Sequence, residues 1–73
     1  MRLSEFQFAV AEEFGDAYGR ALVRELVIDE LGGLTPEQAL AAGRRPGEVW
    51  TALCKAAGVP RERWHGRGRP AVG

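Results

Sequence analysis

Cysteine, histidine and serine each occur once in this 73-residue chain, at Cys54, His65 and Ser4. A lone cysteine cannot close an internal disulfide, so the chain is not a small disulfide-stapled secreted scaffold. One cysteine and one histidine, separated by the breakers Gly58 and Pro60, fall short of a zinc donor set, and neither a metal nor a cofactor is expected. Ser4 at the start of a helix and His65 near the chain end make poor partners for a nucleophile and its base. No apolar run approaches the roughly 20 residues that span a bilayer, so no membrane partner is expected. Glu5, Glu12 and Glu13 interrupt the apolar stretch that a secretory leader needs, which makes the cytoplasm the expected location. An excess of one charge is also missing, with ten basic residues against ten acidic ones. What remains has the length and ordinary polarity of one small globular domain.

Helical signals fill most of that length. Ser4 followed by Gln7 reads as a capping box, with Leu3 and Phe8 placed for a hydrophobic staple. Phe6, Val10 and Phe14 then recur at four-residue spacing until Gly15. Asp16 opens a second segment in which Tyr18, Ala21, Leu22, Leu26 and Leu31 share one side, widened by Val23, Val27 and Ile28. Such breadth predicts the central helix of a bundle, ended by Gly32-Gly33. Gly19 weakens its first turn, or permits close approach of the first helix. Thr35, Pro36 and Gln38 combine an N-cap, a first-turn proline and a capping box, and predict a short third helix that ends at Gly43. Pro46 begins a fourth, with Val49, Trp50, Leu53, Cys54 and Ala57 on one face and Gly58 and Pro60 as its stop. No alternating β-pattern competes. The prediction is an all-α fold, a small bundle of about four helices over residues 1–64. Trp64 is expected to fold back onto it, and residues 65–73 read as a disordered basic tail rich in Gly, Arg and Pro.

The charges are unevenly spread. Residues 1–40 hold eight acids against three bases, and residues 41–73 hold seven bases against two acids. A basic C-terminal half can meet a polyanion, and it can equally be solvated surface. Ala39, Gly43 and Val49 fall at the spacing of a helix-turn-helix. The helix that would read bases, however, exposes Gly47, Glu48 and Thr51, with Lys55 its one cation. In the tail, Arg67-Gly68-Arg69-Pro70 resembles the AT-hook, whose arginines enter a narrow minor groove. Arg44, Arg45, Arg61, Arg63, Arg67 and Arg69 are therefore the residues through which nucleic acid would be contacted.

Other motifs read as structure. Cys54 lies on the apolar face beside Trp50, as a buried thiol does. Glu12-Glu13 and Asp29-Glu30 are neighbours that point to different sides of a helix, which suits solvated charge better than an acid–base pair. Gly32-Gly33 lacks the lysine of a phosphate loop. At the start of the third helix Glu37 already occupies the field that would attract an anion.

The words Met1-Arg2-Leu3-Ser4-Glu5-Phe6, Phe14-Gly15 with Tyr18, Leu31-Gly32-Gly33 with Thr35, Ala39-Leu40 with Gly43, Val49-Trp50 with Cys54, and Val59-Pro60 carry a resemblance over about residues 1–64. Taken together they resemble a family of short actinobacterial proteins of unknown function. The resemblance implies a small cytoplasmic helical protein, encoded in many genomes near the recombinase RecA and its modulator RecX. It brings no catalytic or binding residue with it, and the Gly/Arg/Pro tail departs from the shared pattern. The expectation is a non-enzymatic module that binds another protein through a helical face, with a connection to recombination or DNA repair. The alternative is accessory DNA binding through the arginines named above.

Overall fold

A computed structural model describes residues 1–64, and the expected tail, residues 65–73, lies outside them. Among the described residues are four α-helices: α1 (Leu3–Phe14), α2 (Asp16–Glu25), α3 (Pro36–Ala41) and α4 (Pro46–Ala57). Two short 3₁₀ turns, Asp29–Leu31 and Arg61–Arg63, follow α2 and α4. The all-α prediction holds.

The start of α1 corrects the sequence reading. Arg2, not Ser4, is the N-cap, and its backbone N–H donates to Glu5 Oε1 at 2.7 Å. The reason lies in the reach of Glu5, a carboxylate at the third helical position that bends back to an orphan amide. No staple forms between Leu3 and Phe8, since both are about half exposed. Phe6, Ala9 and Val10 form the buried stripe instead.

A single residue, Gly15, joins α1 to α2. Its φ of 87° and ψ of 164° belong to a region that only glycine occupies freely, so the corner requires glycine for its backbone conformation and not for want of space. The two helices then lie very close. A Cβ on Gly19 would sit 2.7 Å from Val10 Cγ1 and 3.1 Å from the Val10 carbonyl oxygen. Close approach is thus the role of this glycine.

Helix α2 is shorter and more peripheral than its apolar breadth predicts. Gly19 is its one buried residue, Tyr18 is 61% exposed, and Leu22 and Val23 are partly buried against the core. The helix stops at Glu25 because Leu26 and Ile28 turn extended. Val27 and Ile28 are β-branched, which favours that geometry. Ile28 then forms an isolated antiparallel bridge to Leu34, its N–H donating to the Leu34 carbonyl at 3.0 Å. Leu31, expected on the second helix, is buried from the 3₁₀ turn inside this loop.

The central helix is α4. It buries Val49, Trp50, Ala52, Leu53 and Cys54, and it packs against α1, α3 and the Asp29–Leu31 turn. Its end is fixed as predicted at Gly58, where the Val59 N–H donates to the Cys54 carbonyl at 2.9 Å. Helix α3 matches its prediction closely. Thr35 and Gln38 exchange backbone-to-side-chain hydrogen bonds of 3.0 and 3.1 Å, with Pro36 in the first turn. The chain then returns to α1. The Trp50 indole N–H donates to the carbonyl of Trp64, the Trp64 indole N–H donates to that of Val59 at 2.9 Å, and Arg63 pairs with Glu13. Trp64 packs against the core, as expected.

The contact at Gly19 sets a test. Gly19→Ala improves helix propensity by about 1 kcal/mol, yet it drives a methyl into Val10 and its carbonyl oxygen. A net destabilisation of about 1–3 kcal/mol is expected, since overpacking outweighs propensity here. Urea titration should show a lower midpoint with an unchanged slope.

Candidate functional site

The four described arginines among the six singled out in the sequence stand at the two ends of α4. Arg45 is the N-cap of α4, whereas Arg61 and Arg63 lie beyond its C-terminus. Twelve helical residues separate the two groups, about 18 Å at 1.5 Å per residue. Three of the four described arginines have a partner. The Arg44 guanidinium donates to Glu48 Oε2 at 2.9 Å, and that hydrogen bond holds the Glu48 carboxyl below its usual range and pushes Arg44 up. Arg61 stands over the Trp64 ring, 5.1 Å from its centroid. Arg63 is bound to Glu13, whose side chain is only 9% exposed. Arg45 is exposed, and Arg67 and Arg69 lie outside the described residues. Lys55, the remaining cation of the would-be reading helix, pairs with Glu30 at 3.3 Å.

Cys54 is fully buried, and burial pushes its thiol up to about 12, helped by the negative charge of Glu13. A thiol so placed stays protonated at neutral pH and is a packing group, not a nucleophile. Among the described residues, no group of three or more His, Cys, Asp or Glu side chains could hold a metal ion. No helix among them is long and apolar enough to cross a membrane.

What the sequence reading missed is a groove of about 380 Å³ where α1, α2 and α3 meet. Leu3 and Ala11 of α1 give its accessible apolar floor, over the buried Phe6 and Val10, and Val23 of α2 and Leu40 of α3, both partly buried, line it as well. Polar groups sit among them: Gln7 on α1, Asp16 and Arg20 on α2, and Glu37 on α3. The groove exists because α2 is peripheral. Gly15 turns it sharply against α1, and the short α3 covers only part of the seam between them. A weak signal was present in the sequence. Leu3 and Ala11, eight residues apart with the polar Gln7 between them, flank the Phe6/Val10 stripe and so add apolar surface to α1 beside it. Nothing in the sequence, though, shows which helices border that extra width.

The model of a family described as "Protein of unknown function (DUF3046)" matches residues 1–62. No curated protein and no solved structure matches the chain.

The buried thiol gives a pH prediction with a definite sign. An unfolded cysteine ionises near 8.5, whereas folded Cys54 does so only near 12. Its contribution to stability is therefore complete below about pH 8.5 and is lost as the pH rises toward 12. Denaturant titrations over that range should show a decline that Cys54→Val reduces. In the native protein, a thiol reagent should react at the rate of unfolding.

Proposed function

The chain belongs to the DUF3046 family of proteins of unknown function, and from that premise we propose that it is a non-enzymatic interaction module. Its groove takes the apolar face of a helix from a partner protein. The observation that carries this reading is the open apolar groove between α1, α2 and α3. An apolar floor surrounded by polar groups is the anatomy of a protein interface.

The shape favours a helix as occupant. From Leu3 to Ala11 the floor runs eight residues along α1, about 12 Å. That length matches side chains at positions i, i+3 or i+4, and i+7 of a second helix. An extended segment would instead need an open sheet edge, and among the described residues the sole pairing of that kind is the bridge between Ile28 and Leu34. The gene neighbourhood implied by the family resemblance directs the search for the partner to recombination and repair proteins. The DNA alternative draws less support, because three of its six arginines are engaged, Arg44 and Arg63 with carboxylates and Arg61 with a ring.

Leu3→Glu with Ala11→Lys tests the reading without touching the core. The acid lies at the start of α1 and the base near its end, so each suits the helix dipole. Affinity capture from the source organism with the wild-type chain should retain a protein that the double variant loses, while circular dichroism stays unchanged. The segment of that protein responsible, made as a peptide, should shift the amide resonances of Phe6, Val10, Val23 and Leu40. A partner held equally by both chains would overturn the groove as the docking site.

A further inference from the structure

The rim of the groove carries charges that make no ion pair among the described residues: Asp16 and Arg20 on α2, and Glu37 on α3. Elsewhere cations do find carboxylates, as Arg44, Lys55 and Arg63 do. The two carboxylates come from different helices that line the same groove, Asp16 from α2 and Glu37 from α3, while α1 offers only Gln7 as a polar group. A helix lying in the channel therefore meets a carboxylate from each of these two helices.

Resting on the docking reading above, we infer that the groove selects an amphipathic helix with a basic residue on each side of its apolar stripe. The flanking lysines or arginines lay their methylene stems along the channel edges and place their charged ends at Asp16 and Glu37. An acidic residue on either flank would face a carboxylate and be disfavoured. Arg20 lies one turn beyond Asp16 on the same wall, so it fixes the direction of the bound helix, accepting an acidic residue one turn from the basic one. The carboxylates thus select the partner, and the apolar floor supplies most of the affinity.

Two synthetic helical peptides test this against the full chain. Both carry leucines at i, i+4 and i+7. One has lysine at the two flanking positions and the other has glutamate there. Fluorescence anisotropy in about 0.02 M salt should show the lysine peptide binding about tenfold more tightly, and about 0.5 M salt should shrink the ratio as the charges are screened. Asp16→Asn with Glu37→Gln should abolish the preference while leaving the amide shifts around Val10 and Leu40 in place. Equal affinity for the two peptides, or a preference that survives in the neutralised variant, would overturn the charge rule and leave the groove as a docking site. If neither peptide perturbs those resonances, the docking reading falls with it.

Discussion

Trp50 holds together the parts of the chain that lie farthest apart in sequence. Its ring meets Phe6 and Phe14 edge-on, with centroids 6.4 and 6.5 Å away, so a single side chain of α4 contacts α1 at two points eight residues apart. Its indole N–H is satisfied by the carbonyl of Trp64, which draws the end of the described chain back over the bundle. A tryptophan buried this deeply needs a partner for that N–H. Here the partner also brings Arg63 within reach of Glu13 and seats Trp64 against the core. In a domain this small each large side chain carries a substantial share of the apolar burial. The packing of α1, α4 and the C-terminal turn accordingly stands or falls as one unit.

That unit leaves α2 with a lesser part. Because α1 and α4 already cover each other, α2 can only lie along the outside of α1, and it does so at a distance set by the missing side chain of Gly19. Close contact along one line accompanies open space along the next. The groove lies on the side of α1 where Leu3, Gln7 and Ala11 project, between that line and α3. The tight α1–α2 seam and the open channel are thus two consequences of one helix placement.

The sequence was legible where local chemistry decides the structure. Thr35, Pro36 and Gln38 specify the start of α3 by themselves, and Gly58 with Pro60 specifies the end of α4, because capping is settled within a few residues. It misled where two local preferences competed. Leu26, Val27 and Ile28 continue the helical spacing of α2, but two of them are β-branched, and a pairing with Leu34 six residues beyond Ile28 turned the balance to extended backbone. The capping of α1 failed similarly. Ser4 is the better N-cap residue, yet Glu5 reaching back to Arg2 gains a charged hydrogen bond and moves the cap two residues earlier. The groove was the least legible feature. Its walls come from three helices, and the spacing of residues within each helix says nothing about their mutual angle.

The basic residues are distributed in the fold differently from the way they run along the chain. A count of charges along the chain suggests a polyanion site in the C-terminal half, but the fold distributes those cations over both ends of α4 and sets Lys55 and Arg63 against acids from the N-terminal half, at Glu30 and Glu13. Charge asymmetry in the sequence has here become attraction between the two halves of the chain. The charges on the groove rim are arranged differently. Asp16, Arg20 and Glu37 border apolar surface and pair with nothing among the described residues. Exposed ion pairs add little to folding, commonly less than about 1 kcal/mol. Leaving these three unpaired costs the fold little, and keeps on the rim the groups that give an apolar channel its selectivity.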